Sequence, residues 1–351
     1  MASKSTDVLV VGGGPAGLAT AIAARHQGFS VIVADRAAPG IDKACGEGLM
    51  PPAVNSLAAL GVAIDPANCH PIAGVRFVDG EDCATARFCD GSGLGVRRTR
   101  LHATIAKAAQ DAGVLLLWST PVTEFGNDWV LAGGERIQFQ YLVGADGQAS
   151  AVRHTAGLSA TRSSSVRFGF RRHYAITPWS DLVEVHWSHG CQVYITPVSQ
   201  NEVGVAVLSA DSHLRVNQAL QQFPKLERRF RNAQPASSER GGLTATRHLC
   251  CVVTNNTALI GDASGSVDAI TGDGLSQSFQ QAEALALAMK TEDLSAYQSA
   301  HNRIRRNPAL LAYLLLTLSR HDVLRRFSLK ALAGYPPVFS QILALHASLT
   351  K

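Results

Sequence analysis

What this sequence is short of narrows the field before any motif is read. Charged residues are only 17% of its 351 and hydrophobic ones 46%, which excludes a disordered chain and leaves apolar material for roughly two structural units. The seven cysteines, at 45, 69, 83, 89, 191, 250 and 251, include no CxxC pair and no nearby CxxH. Neither a zinc site nor a disulfide framework is indicated; no metal is expected, and a reduced cytoplasmic interior is. No apolar run reaches the length of a bilayer span: the strongest near the C-terminus, "ALLAYLLLTL" (309–318), is about half as long as needed and reads as a buried helix. The N-terminal "MASKST" has neither the charged and apolar regions nor the cleavage site of a signal peptide, so secretion is not expected. The net charge of +5 is spread thinly, apart from "RRTR" (97–100), "RFGFRR" (167–172) and "RIRR" (303–306). That density argues against a nucleic-acid partner, and such groups read as solvated faces or phosphate contacts. There is no internal repeat and no low-complexity tract.

What is there begins at residue 7. "DVLVVGGGPAGLATAIAARHQGFSVIVADR" is an apolar strand, a glycine turn, a helix stopped at Gly28, and a second strand ending in Asp35. Gly12 lets the turn close, Gly14 lets main chain approach a pyrophosphate, and Gly17 lets helix and strand pack, while the helix N-terminus offers unpaired N–H groups to an anion. Asp35, eighteen residues after Gly17, sits where a carboxylate takes ribose hydroxyls, with Arg36 beside it. Further on, "FQYLVGADGQASAVR" (139–153) runs a strand into Gly144, Asp146 and Gly147. "TALIGDASGSVDAITGDGLSQSFQQAEALALAM" (257–289) gives a strand, Gly261 and Asp262, a loop with Gly272, and a long helix opening near Gly274. No second strand–GxGxxG–helix unit exists for a nicotinamide nucleotide.

This triple pattern resembles the flavoprotein group of p-hydroxybenzoate hydroxylase and the geranylgeranyl reductases. The resemblance implies a Rossmann-type, glutathione reductase-like α/β domain for FAD at residues 1–75, 95–160 and 243–295. It also implies an inserted antiparallel-sheet substrate domain at 76–94 and 161–242. A helical segment follows at 296–351. It assigns Gly12, Gly14, Gly17, Asp35, Arg36, Asp146, Asp262, Gly272 and Gly274 to FAD, with Arg98 matching the arginine that reaches the diphosphate; Arg97 and Arg100 are alternatives for that role. A helix starting at Gly274 aims its positive end at the loop before it, where donors would stabilise a reduced flavin. NAD(P)H or a partner reductase supplies the electrons.

"CGEGLMP" (45–51) resembles the CG-(acid)-G segment of geranylgeranyl reductases, whose loop returns across the isoalloxazine, and makes Cys45 and Glu47 the catalytic candidates. A small buried thiol that only packs is the competing reading of Cys45. "VYITPVSQNEVGVAV" resembles in degenerate form the cavity-lining stretch of those reductases, with Tyr194 and Pro197 facing substrate and Gly204 matched; an ordinary hairpin is the competing reading. "CGEGLMP" with "GDASGSVDAITG" also resembles FAD-dependent monooxygenases that accompany bacterial type III polyketide synthases. The reading favoured on sequence is therefore a monooxygenase hydroxylating an apolar aromatic or polyketide-derived substrate through a flavin hydroperoxide. An ene reductase delivering hydride from reduced FAD to an isoprenoid or other alkene is the near rival, and a non-catalytic escort protein on the same fold is disfavoured. A halogenase is disfavoured too, because no lysine lies between Lys43 and Lys107 and Lys43 is in the wrong kind of segment. The C-terminal segment mixes apolar faces with Arg320, Arg325, Arg326 and Lys330. Packing against the flavin domain and peripheral contact with an acidic membrane both account for it. Oligomeric state is left open.

Overall fold

The computed structural model describes residues 4–159 and 161–348. The strand Lys4–Val11 is apolar and buried through its second half, and pairs in parallel with Val31–Ala34 on one side and Glu135–Gly144 on the other. Between the first two strands the chain turns at Gly12, whose φ of +113° an L side chain rarely adopts; a Cβ there would stand 2.4 Å from the Ala145 carbonyl oxygen. Helix Pro15–His26 starts with proline in its first turn and crosses the strand so closely that a Cβ on Gly17 would meet the Gly12 carbonyl oxygen at 1.9 Å. Leu115–Leu117 continues the sheet beyond Val31–Ala34, and Thr257–Leu259 continues it beyond Glu135–Gly144. This is the expected doubly wound frame, with the three glycine-bearing segments at the carboxyl ends of adjacent parallel strands.

The second sheet is built on the long strand Thr161–Ala175, which pairs antiparallel with Glu202–Ser209 and with Arg240–Leu249. Cys191–Ser199 and Leu182–Ser188 follow in order, and Gly74–Asp79 joins Leu182–Ser188 in parallel with Asp82–Arg87 at the edge. Pairing thus carries this sheet to Leu249, so residues 243–249 belong with the inserted sheet and not with the flavin domain to which the sequence pattern assigned them. Its two faces are covered differently. Val193, Ile195, Val205 and Val207 pack under helices Val216–Gln221 and Pro224–Phe230. Tyr194, Trp187 and Leu208 face Ile270 and the C-terminal helix residues Ala312 and Leu315.

The C-terminal segment is three helices, Leu294–Arg320, Asp322–Gly334 and Pro336–Ser348. The run 309–318, read from sequence as a buried helix, is only half so: Ala312 and Leu315 are buried, whereas Leu310, Tyr313 and Leu314 are exposed. One stripe of the helix is enough to cover the sheet, and the remainder of an all-apolar run then faces outward. No helix among the described residues is long and apolar enough to cross a membrane.

Candidate functional site

Three loops converge at the carboxyl ends of the parallel strands. In the first, Asp35 Oδ2 accepts from the Gly13 N–H at 2.6 Å and Oδ1 from the Ala37 N–H at 2.7 Å. The carboxylate therefore braces the glycine turn, and each oxygen keeps a lone pair for a hydroxyl; Arg36 is exposed beside it. From helix Arg98–Asp111, the His102 Nε2–H donates to the Gly13 carbonyl at 2.9 Å. Burial pushes the His102 pKa down, opposed by that bond, so the ring is held as a neutral donor. Gly14 caps helix Pro15–His26 with no side chain, and a Cβ on it would meet no protein atom within 4 Å.

Arg153 ties the second loop to the third, and Arg305 ties the third to strand Arg240–Leu249, roles the sequence reading did not single out. Arg153 donates from Nη2 to the Gln148 carbonyl at 2.6 Å and from Nη1 to the Ala263 carbonyl at 3.0 Å. Arg305 donates to the carbonyls of Ser264 and Arg247, both at 3.0 Å, and neighbouring His301 bonds Ser264 Oγ. Asp146 caps the short helix Ala151–Thr155 through Oδ2, while its buried Oδ1 finds no partner. Asp262 is half-exposed, with Lys43 Nζ 3.6 Å away. Lys43, set aside on sequence, therefore belongs to this mouth. Gly272, with φ of +67°, and Gly274 lead into helix Gly274–Lys290, where an added Cβ at either would again meet nothing. Asp273, at the helix entry, is buried, and that burial pushes its carboxyl up to about 7 against hydrogen bonds from Ser276 and Gln277. Arg98 is buried among Cys45, Asp262, Glu47 and Asp42, and its Nη1 has no hydrogen-bond partner. Arg97 is occupied elsewhere, 3.4 Å from Glu202, and Arg100 is exposed, which leaves Arg98 as the arginine of the three aimed into the site.

The "CGEG" loop crosses between these elements and the second sheet. Glu47, 3% exposed and left-handed at φ +60°, is fully engaged. Oε1 accepts from the Arg98 N–H at 2.8 Å and lies 3.7 Å from Arg171 Nε, and Oε2 lies 2.5 Å from His173 Nε2. Ser237 Oγ (2.8 Å), Arg171 (3.2 Å) and Arg97 (3.3 Å) all converge on His173 Nδ1. The arginines can only donate, so Nδ1 is the acceptor and the ring proton sits on Nε2, facing the carboxylate. Gly204 makes room: a Cβ there would be 3.2 Å from Glu47 Oε2. Cys45 is half-buried, and its Sγ accepts from the Glu47 N–H at 3.4 Å. Burial raises the thiol pKa, with the Arg98 charge pulling the other way.

Alternation along Cys191–Ser199 separates the two residues expected to line one cavity. Tyr194 faces the flavin-side loops and donates its hydroxyl to the Ile270 carbonyl at 2.9 Å, whereas Pro197 lies on the opposite face, in a small cleft with Trp179, Leu182 and Val203. The residue that shares Tyr194's face is Thr196, whose Oγ1 donates to the Gly46 carbonyl at 2.8 Å. Arg167 adds a further tie, pairing with Asp268 at 3.1 Å across buried space. The period-2 rule applied to 194 and 197 would have found this from sequence.

A family described as "FAD binding domain" matches residues 5–240. The menaquinone reductase of Mycobacterium tuberculosis is 29% identical over 319 residues, spanning 83% of this chain and 78% of that protein. Digeranylgeranylglycerophospholipid reductase 2 of Methanosphaera stadtmanae is 26% identical over 78% of this chain and 75% of its own. The ubiquinone hydroxylase of Rhodospirillum rubrum is 26% identical over 81% and 72%. Among solved structures, a flavin-dependent brominase superposes with a TM-score of 0.84 at 20% identity, covering 99% of this chain and 95% of its own. A geranylgeranyl bacteriochlorophyll reductase-like protein of Thermoplasma acidophilum does so with 0.75 at 17%, covering 95% and 91%. At these identities the superpositions establish the fold.

Proposed function

The chain belongs to the FAD binding domain family, and from that premise we propose that it is an FAD-dependent reductase that adds hydrogen across an isolated double bond of an apolar, isoprenoid-like substrate. The donor set fits the cofactor. Helix Pro15–His26 is capped by Gly14 and helix Gly274–Lys290 opens at Gly274, glycines whose missing Cβ faces no protein atom, and a buried guanidinium nitrogen of Arg98 and a buried carboxylate oxygen of Asp146 lack partners. A polyhydroxylated diphosphate satisfies that combination. In this reading Gly12, Gly14, Gly17 and Arg98 hold the diphosphate, Asp35 and Arg36 the adenosine ribose, and Asp146 and Asp262 the remaining hydroxyls. The helix entered through Gly272 and Gly274 turns its positive end toward the ring. Bound and reduced, FAD supplies the hydride; NAD(P)H, bound transiently, or a partner reductase supplies the electrons.

The observation that carries the choice is the division of labour between Cys45 and Glu47. Saturating a double bond takes one proton for each hydride. Glu47 is already bound by His173, Arg171 and the Arg98 N–H, whereas Cys45 carries a thiol that burial keeps protonated. Its S–H breaks as the new C–H forms, and the sulfur left behind is stabilised by the Glu47 N–H and the Arg98 charge, to be reprotonated from solvent. The relatives named for menaquinone and digeranylgeranylglycerophospholipid reduction span most of the chain and are consistent with this reading.

One observation favours the monooxygenase as a second reading. Ser237, His173 and Glu47 form a hydrogen-bonded file from half-exposed surface to buried loop, which suits removal of a phenolic proton, and the ubiquinone hydroxylase is a relative over a similar span. The deciding experiment offers the reduced enzyme a polyprenyl alkene without oxygen and an alkyl-substituted phenol with oxygen. A product gaining two hydrogens from the first, lost in Cys45→Ala at equal flavin content, supports the reductase. A product gaining one oxygen from the second, with no alkene reduction, replaces it with the hydroxylase. A purified protein without flavin would revive the escort reading.

A further inference from the structure

We infer that the outward faces of helices Leu294–Arg320 and Asp322–Gly334, with the start of Pro336–Ser348, form a docking surface for an anionic lipid bilayer. The apolar residues there are not spare core. On Leu294–Arg320 the inward stripe is Ile304, Pro308, Ala312 and Leu315, all buried, while Leu310, Tyr313 and Leu314 are at least half exposed. On the next helix Arg325 and Leu329 are buried, yet Val323 is 86% and Phe327 71% exposed. Tyr335, Val338 and Ile342 extend the exposed set into the third helix. Soluble chains rarely leave this many large apolar side chains outside in successive elements unless something covers them.

Charge indicates what does. Residues 294–348 hold seven basic residues, at 303, 305, 306, 320, 325, 326 and 330, against one acid, Asp322, whereas the whole chain has 32 against 27. Arg305 and Arg325 are turned inward, to main-chain carbonyls and to Asp79. The others stay outside. Arg303 and Arg306 precede Leu310–Leu314 and Arg320 follows it, in steps of three and four that keep them on the same side of the helix, and none has a carboxylate partner among the described residues. Arg326 and Lys330 flank Phe327 and lean only loosely on Asp79 and Asp82, at 3.5 and 3.9 Å. Aromatic and aliphatic side chains rimmed by cations suit the boundary between anionic headgroups and acyl chains. A second copy of the chain would bring the same excess of positive charge against itself. The inference does not depend on which reaction the flavin site performs.

The test is flotation of the flavin-loaded full chain with vesicles of phosphatidylglycerol and phosphatidylcholine in equal parts, and with phosphatidylcholine alone. The protein should float with the anionic vesicles, less so as salt is raised. Val323→Asp with Phe327→Asp, and separately Arg306→Gln with Arg320→Gln, should each lower the bound fraction roughly tenfold. All four positions are exposed, so flavin content and melting temperature should stay at parental values. Failure of the parent to float with anionic vesicles overturns the inference, as does flotation that neither pair of substitutions weakens. A parental dimer that the Val323 and Phe327 pair converts to monomer overturns it as well, by assigning the face to a second copy.

Discussion

The turn at residues 11–17 and the loop at 42–48 both present main chain to the same site, and they are held in shape by opposite means. The turn is shaped from within: neighbouring carbonyls leave no volume for a Cβ at Gly12 or Gly17, and its bracing acid Asp35 arrives only along the adjacent strand. The loop is shaped from without. Glu47 is fixed in a left-handed conformation by His173 and Arg171, more than 120 residues away, and Asp42 pairs with the same Arg171 and with Arg240. A steric device of this kind is broken by adding atoms, and an electrostatic one by removing charge.

The largest effect should come from the loop. Glu47→Leu leaves the buried His173 Nε2–H and Arg98 main-chain N–H with no acceptor and Arg171 with Asp42 as its remaining carboxylate, and should cost about 3–5 kcal/mol in urea denaturation. Glu47→Gln retains an acceptor and should cost clearly less; equal costs would mean that the charge is not what holds the loop. The turn should respond next and should separate packing from binding. Gly17→Ala, driven against the Gly12 carbonyl, should lower stability by about 1–3 kcal/mol whether or not flavin is present. Gly14→Val places its Cβ where no protein atom lies within 4 Å, so it should leave the apoprotein's melting temperature close to the parent's while abolishing retention of FAD on dialysis. Stoichiometric flavin in Gly14→Val would remove the turn from the cofactor site.

The smallest effect contrasts two buried acids. Glu47 sits among cations, whereas burial pushes the Asp273 carboxyl up from 3.8 to about 7 against its hydrogen bonds. A carboxyl raised in this way favours the folded state while protonated, so its contribution is complete below about pH 4 and is lost as pH rises to about 7. Asp273→Asn removes that dependence. Its melting temperature relative to the parent should therefore be higher at about pH 8 than at about pH 5, and a difference that does not change with pH would deny the buried titration.

Which parts of this site are legible in the sequence follows from the same contrast. Gly12, Gly14, Gly17 and Asp35 can be read because their spacing within one strand–turn–helix–strand unit is the physical constraint itself. Asp146, Asp262 and Gly274 can be read for the same reason, each ending a strand or opening a helix. His102, Arg153, His173 and Arg305 cannot, since no local spacing marks them; they meet their partners only once the strand register and helix docking are set. Pro197 fails for a local reason, an odd step from Tyr194 along a strand, and Lys43 because its neighbour Asp262 lies more than 200 residues away. The domain boundary at 243 fails because nothing in "RGGLTATRHL" marks where a strand stops serving one sheet.

Pro308 has a consequence for cooperativity. Helix Leu294–Arg320 contains this buried proline, which can donate no N–H to the carbonyl four residues earlier, at Ile304. The missing bond falls between two stretches that do different things. Tyr297, His301 and Arg305 grip Leu259, Ser264 and Arg247, while Leu310 to Arg320 carries the outward apolar stripe. The helix runs unbroken but lacks one main-chain bond at Pro308, so amide hydrogens beyond Pro308 should exchange with solvent in a faster class than those of residues 298–305. The protein can then loosen its outer arm without releasing the loop that frames the candidate site.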